Sequence, residues 1–397
     1  MTKNQKSISK KVSITGIFIN TDISLLGASN YQRNIIYFLS KYGRENIMYI
    51  TDQKENLEFL GKLGVKNSYI RLTVFDSILK FILIDILKLT FKISINNKLH
   101  SLCKLYRKLE INKIYFLKPD NRILLGNEIE KIMTVFDLNS FHQSKYGFID
   151  YSKRQLFMTK NLFYYLKKER IKIIMDCSKN KQILINLYGF ESELITYGGL
   201  FPRIESTLLE ENSTNGNVAK EKIVLYVAAF WKHKNHKVVI EAFNKVLLDY
   251  PAAKLILVGK EKQYYKNVLK EIQVNNISQN CEIINDLSND ALFNLMKKSS
   301  VVVYASLYGL TNLPPLEAAM LGCKQIVSAE SKSNEEIYGV LHDTKYFDPK
   351  NSSNLTSEII VALQNDLITK DSKVKEFNLL IERKNNYFAK EILNFIS

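Results

Sequence analysis

The chain has 397 residues, 46% hydrophobic and 24% charged, a globular balance that excludes global disorder and fibrous architectures and implies two or three domains. Fifteen glycines and six prolines are too few for a collagen-like or proline-rich protein. Of the net charge of +16, residues 1–200 carry +15 (32 Lys+Arg against 17 Asp+Glu) and residues 201–397 only +1 (24 against 23), which predicts an anionic partner for the first half.

Val12–Ile19 reads as a strand, Asn20–Ser29 as a loop, and the stretch from about Asn30 to Lys41 as a helix. Ile47–Thr51, Ser68–Leu72, Lys113–Phe116, Lys131–Phe136, Ile171–Asp176 and Leu194–Tyr197 follow as strands. Between them, Ile78–Ile95 is the most apolar segment, broken by Lys80, Asp85, Lys88 and Lys92. At 100° per residue those charges span an arc of about 140°. The spacing predicts an amphipathic helix with a basic polar face. It either lies in a membrane interface or is buried with one wet side. Glu210–Gly216 (EENSTNG) reads as the inter-domain linker.

The second half alternates more regularly. Lys222–Phe230, Lys254–Gly259, Cys281–Asn285, Val301–Ala305 and Gln325–Ser328 are short apolar runs suited to strands buried on both faces. His236–Asp249 carries Val239, Ala242, Phe243, Val246 and Leu247 at helical spacing. Tyr264–Val274, Asp290–Lys298, Pro314–Leu321 and Glu335–Leu341 read as further helices. This alternation predicts doubly wound α/β domains. Cys103, Cys177, Cys281 and Cys323 form no CxxC pair, which fits a reducing cytoplasm. Polar, basic Met1–Lys11 has no apolar run after it, so no secretory signal is expected.

Two segments carry candidate chemistry. Ser306–Gly322 (SLYGLTNLPPLEAAMLG) follows a strand and opens a helix, with Pro314 and Pro315 suited to a first turn and Thr311 or Asn312 to its cap. Free N–H groups near Asn312 and Leu313 make an anion site. Glu317, one turn in, suits the hydroxyls of a ribose or serves the helix dipole. Phe230–His236 (FWKHKNH) places Lys232 and Lys234 before a helix start that Asn235 can cap. That is a place for a diphosphate clamp or for a solvated basic loop.

From Lys222 to Asp348, the order and spacing of these features resemble the C-terminal domain of the retaining GT-B glycosyltransferases of family four (glycosyl transferases group 1). The carriers are Lys234-Asn235, Tyr250-Pro251, Leu255–Gly259, Leu292–Ser300, Ser306–Gly322, Ser328 and Tyr346–Pro349. The first half resembles the family more weakly, at Gly27-Ala-Ser29, Thr134–Leu138, and Ser178 with Lys181. The resemblance implies two Rossmann-like doubly wound domains facing across a cleft. Residues 1–205 would form the acceptor-side domain, 206–220 the linker, 221–375 the nucleotide-sugar-binding domain, and 376–397 a helix packing back towards the first domain. It further implies that Lys234, with Lys232 nearby, contacts the donor diphosphate and that Glu317 holds the ribose. Thr311, Asn312 and Leu313 would line sugar and phosphate, Gly27 and Ala28 would admit donor or acceptor, and Asp137 would sit at the catalytic strand end. No cofactor or metal is implied beyond the donor. Three positions depart from the family pattern: Gly309 replaces the first glutamate of its pair, Ala229 its arginine, and Phe136 the histidine of its His-Asp pair.

The resulting expectation is a divergent, metal-independent retaining enzyme that moves a sugar from a nucleotide diphosphate sugar. Its acceptor would be a glycan or lipid-linked glycan of the cell envelope, met in the cytoplasm on an anionic membrane surface, with no nucleic-acid partner. The alternative is a weak or inactive GT-B subunit that binds a partner glycosyltransferase or a glycan.

Overall fold

A computed structural model of the chain describes residues 13–23, 28–43, 45–93, 99–126, 128–136, 138, 152–199, 202, 221–309, 312–329, 341, 344–364 and 371–397. The expected linker and all but the last residue of the expected helix Glu335–Leu341 lie outside them.

In the first half, β1 (Ile14–Ile19), β2 (Ile47–Thr51), β3 (Asn67–Tyr69), β4 (Ile111–Phe116), β5 (Glu130–Val135), β6 (Lys172–Met175) and β7 (Ile195–Tyr197) pair in parallel in the order β3-β2-β1-β4-β5-β6-β7. Gly16 stands opposite Met48 on one side and Ile114 on the other. The second half builds its own parallel sheet from β8 (Glu221–Val227), β9 (Lys254–Val258), β10 (Cys281–Ile284), β11 (Ser299–Tyr304), β12 (Gln325–Ser328) and β13 (Thr344–Phe347), ordered β10-β9-β8-β11-β12-β13. Each sheet therefore reverses its winding once, at β1/β4 and at β8/β11. Ligands of open α/β sheets bind outside the carboxyl ends of the strands at such a reversal.

The helices cover both faces. In His236–Val246 the residues Val239, Ala242, Phe243 and Val246 are all fully buried. The first helix, Ala28–Lys41, starts two residues earlier than its periodicity suggests. Helices Asn56–Lys62, Ser101–Lys108, Lys153–Lys168 and Ser178–Tyr188 complete the crossovers of the first sheet. Ser152 and Gln155 start the third of these with a reciprocal capping box.

The expected basic face of Ile78–Ile95 does not form. Val74–Leu79 is α-helical, but Lys80–Lys88 winds as a π-helix, whose i→i+5 bonds turn each side chain through a smaller angle than the assumed 100°. Lys88 therefore points inward, only 2% exposed, and pairs with Glu169 at 2.5 Å. Lys80 pairs with Asp85 at 2.6 Å. Lys92 sits over the Tyr164 ring at 4.9 Å. Lys92 stays at the surface, and the preceding turns expose an apolar set, Val74, Phe75, Ile78, Phe81 and Ile82.

The C-terminal helix, Asp371–Ile396, belongs to both domains. Phe377 and Ile381 are buried in the core of the second domain, while Ala389, Ile392, Leu393 and Ile396 are buried with β1 and the first helix in that of the first. Among the described residues, no helix is long and apolar enough to cross a membrane.

Candidate functional site

The reversal between β8 and β11 is where the two motif segments meet. The chain leaves β8 through Ala228 and makes a 3-10 turn at Lys232–Lys234. Gly259, after β9, lies so close to this exit that a Cβ would stand 2.1 Å from the Ala228 carbonyl oxygen, so no side chain fits there. Asn235 does not cap the following helix as expected. It adopts φ 57°, which Asn tolerates better than most residues, and its amide donates to the carbonyls of Pro349 (2.7 Å) and Ala305 (3.3 Å). Those two bonds tie the turn to the loops after β11 and β13.

The tie places Lys234 against the second segment. Its Nζ donates to the Tyr304 hydroxyl at 2.6 Å and to Asn312 Oδ1 at 3.3 Å, and lies 5.2 Å from the Tyr304 ring centroid. Tyr304 also donates to Asn312 Oδ1, and Tyr226 donates to the Lys234 carbonyl. Asn312 precedes the helix Leu313–Met320 without capping it by its side chain, another departure from expectation; its amide donates instead to the Gly309 carbonyl at 2.8 Å. Gly309 has φ 110°, a conformation in which any side chain is strained. The glutamate that the family pattern has at this position is therefore incompatible with the local backbone. Tyr304 has no place in the sequence motifs. Its signal was its position, an aromatic at the end of a buried strand.

The prolines of the first turn remove two of the four N–H groups that a helix start normally offers, leaving those of Asn312 and Leu313. Glu317 lies one turn on and is 5% exposed. Burial raises its pKa to about 7, so near neutrality it is half protonated. His236 is fully buried between Phe230 and Tyr226, and desolvation, with minor opposition from a bond to the Ala228 carbonyl, lowers its pKa to about 3. It packs and does not titrate near neutrality. His233 stacks on Tyr308 at 4.5 Å. Lys232 is exposed on the same turn as Lys234.

Other expected residues are placed differently. Thr311, Gly27 and Asp137 lie outside the described residues, and Ala28 is described only as the first residue of its helix. Phe136, at the family's histidine position, meets Tyr31 edge-on with centroids 4.7 Å apart. Leu313 packs on the core formed by β1, the first helix and the end of the C-terminal helix, so it joins the two domains.

A second polar cluster, unread in the sequence, stands at the β1/β4 reversal. Arg122 donates to Asp120 through Nε (3.0 Å) and one terminal nitrogen (2.6 Å), and to Asp52 through the other (2.8 Å), while lying over the Phe18 ring. Asn20 donates to Asp120, and Lys118 donates to the Thr21 hydroxyl. Burial opposes ionisation of Asp120, but the Arg122 bonds outweigh it and hold its pKa below the usual carboxylate value.

No curated protein matches the chain by sequence. Solved structures match nearly its whole length. TarM superposes with a TM-score of 0.68 at 12% identity, covering 98% of this chain and 99% of its own. Anabaena HepE in complex with UDP and glucose gives 0.66 at 12% identity, with 96% and 99% covered. WaaG, a glycosyltransferase involved in lipopolysaccharide biosynthesis, gives 0.64 at 11% identity, with 97% and 100% covered. Residues 210–378, which hold the Lys234–Tyr304–Asn312 cluster, match the family model for glycosyl transferases group 1, and the whole chain carries the GT-B fold of two parallel-sheet α/β domains.

Proposed function

We propose that the chain is a glycosyltransferase that moves a sugar from a nucleotide diphosphate sugar to a glycan or lipid-linked acceptor, with retention at the anomeric carbon. The observation that carries this reading is Lys234 held by Tyr304 and Asn312 at the carboxyl edge of the second sheet, inside the residues that match the family. Buried Glu317 follows on the helix that starts there. HepE, with the same fold, holds UDP and glucose.

In the proposed reaction the bond between the anomeric carbon and the diphosphate breaks, and the diphosphate leaves with the electron pair. The acceptor hydroxyl oxygen bonds to that carbon and its proton passes to a diphosphate oxygen. Lys234 and the N–H groups of the helix start stabilise the charge of the leaving group, so turnover in EDTA is expected. Glu317 accepts from the ribose hydroxyls, and Lys232 lies beside the phosphates. Thr311, Asn312 and Leu313 line the sugar, and Gly27, Ala28 and Asp137 are assigned to the facing side. Incubation with UDP- and GDP-sugars and an acceptor extract tests this: nucleotide release in the wild type and its loss in Lys234→Ala are expected. Tight nucleotide binding with no release from any donor would favour an inactive subunit instead. That second reading draws on Phe136, which brings an aromatic ring where the family has an imidazole.

We place the acceptor at an anionic cytoplasmic membrane surface. Exposed Val74, Phe75, Ile78, Phe81 and Ile82 support this, with Lys92 and Lys168 nearby over the Tyr164 ring. Apolar insertion then dominates over charge. Sedimentation with anionic vesicles is expected to fall sharply in Phe81→Ser/Ile82→Ser and only modestly with salt.

A further inference from the structure

The strands of the first sheet run parallel, so their amino ends share one edge. An open cavity of about 530 Å³ lies there, lined by Ile129, Glu130, Lys131, Glu169, Arg170 and Lys172 among others. β5 is six residues long, which sets this cavity about 15–20 Å from the carboxyl edge, where ligands of such sheets usually bind. None of its described lining residues belongs to the Lys234 cluster or to the Arg122 network.

The charges of this edge do not balance. Lys131 is 8% exposed and Lys88 2%. Both turn to Glu169, Lys88 Nζ at 2.5 Å and Lys131 Nζ at 3.4 Å. Glu130 is shared in the same way, with Lys172 at 2.6 Å and Lys113 at 3.6 Å. Each carboxylate thus has one close and one distant lysine, and each trio keeps one positive charge in excess. Arg170 pairs with Glu191 and Glu193, whose side chains are 42% and 67% exposed and so screened by solvent.

A buried ammonium needs an acceptor to replace the water it has lost. At 3.4 Å, Lys131 stands beyond the roughly 2.7–2.9 Å of a charge-assisted bond. Desolvation lowers its pKa; Glu169 opposes that shift and Lys88 adds to it. An undercompensated buried cation therefore forms part of the wall of a cavity with room for a small molecule. A neutral hydroxyl brings no charge to offset it. A phosphate group brings about −1.5 to −2 charges near neutrality and three strong acceptor oxygens, enough for the excess of both trios.

We infer that this amino-edge cavity binds a phosphate group, held by Lys131, Lys172 and Arg170. The phosphate is carried by a small phosphorylated metabolite or by a lipid headgroup. This site does not depend on the glycosyl-transfer reading.

Titration calorimetry on the full chain, at pH 7 and constant ionic strength, tests it. The probes are inorganic phosphate, glucose 6-phosphate, and phosphatidylcholine vesicles with and without phosphatidate. A soluble phosphate is expected to bind the wild type, and Lys131→Met to weaken it by about tenfold or more, the change expected for one charged hydrogen bond. Lys234→Ala keeps wild-type phosphate affinity, which separates this cavity from the proposed diphosphate site. Lys131→Met removes a like charge near Lys88, so without phosphate it melts no lower than wild type, and only the wild type gains stability when phosphate is added. Lys172→Met weakens phosphate likewise and keeps the test decisive if Lys131→Met does not fold. Lys131-dependent binding of phosphatidate vesicles without binding of soluble phosphates identifies the headgroup as the source. Binding of none of the phosphate probes, equal affinity in both lysine variants, or loss of phosphate binding in Lys234→Ala each overturns the site.

Discussion

Between β8 and β11, Lys234 donates to the Tyr304 hydroxyl and the Asn312 amide oxygen, and burial raises the Glu317 pKa to about 7, so that it is half protonated near neutral pH. Between β1 and β4, Arg122 is shared by two carboxylates, and the buried Asn20 and Gln32 carbonyl oxygens have no hydrogen-bond partner among the described residues. The two edges have the same topology, since each lies where a parallel sheet changes winding direction. Their chemistry is opposite. The first sets a lysine among hydroxyl and amide oxygens; the second shares its arginine between two carboxylates. Topology chooses where a ligand sits, and the side chains at the strand ends choose its charge.

Removing the internal cation gives the largest expected effect. Arg122→Leu leaves Asp52 and Asp120 without their partner in a partly buried site, at a cost of about 3 kcal/mol or more of folding stability. Urea unfolding measures it, and adding Asp52→Asn and Asp120→Asn restores much of the loss. Equal midpoints for wild type and Arg122→Leu would show that the edge is not held by this ion network.

Glu317 offers a pH handle on the other edge. Its folded pKa of about 7 exceeds its unfolded value, so the folded state holds a proton that the unfolded state has lost. Stability from this group is thus full below the unfolded pKa and declines as pH rises through about 7. Glu317→Gln removes the decline, so at pH 8 the variant is more stable than wild type by up to about 3 kcal/mol, and the gap closes in acid. Nucleotide binding moves the other way, weaker in Glu317→Gln at pH 8. Thermal melts at pH 5 and pH 8 separate the two; identical pH profiles would remove the buried-carboxylate account.

Lys234→Ala is expected to weaken UDP binding by about tenfold or more, since a charge-assisted bond contributes roughly 1.5–3 kcal/mol. Titration calorimetry reads it, and unchanged UDP affinity in the variant would remove Lys234 from the diphosphate site.

Gly309→Ala is the smallest perturbation. A side chain at φ 110° costs roughly 1–2 kcal/mol and shifts Asn312, whose amide bonds the Gly309 carbonyl. A modest drop in melting temperature with a matching loss of UDP affinity is expected. Full stability in Gly309→Glu would show that the loop accepts the family's glutamate after all.

The strands of the second sheet were readable because each is a continuous apolar run between helical periods, and burial on both faces requires that pattern. Lys234 and Glu317 were readable for a related reason, since strand-to-helix turns have a recognisable punctuation. Asn235 and Asn312 were misread because capping propensity is local, whereas both side chains found partners on other loops. The π-helical turn was missed because a period of 3.6 was assumed, and the error moved Lys88 from the surface to the interior. The Arg122 network was invisible because Asn20, Asp52 and Asp120 come together only once β1, β2 and β4 are adjacent. Asn20 and Asp52 do follow strand ends directly, and that shared position was the available clue.

The C-terminal helix has a consequence for synthesis. Strands β1 to β7 are complete once Tyr197 has been made, yet the core against β1 still lacks Ala389, Ile392, Leu393 and Ile396. At about 5–20 residues per second, the first domain leaves the ribosome with an open apolar seam for roughly 10 to 40 seconds. During that interval the seam is a natural place for a chaperone to bind, and the domain that is translated first is the one that finishes folding last.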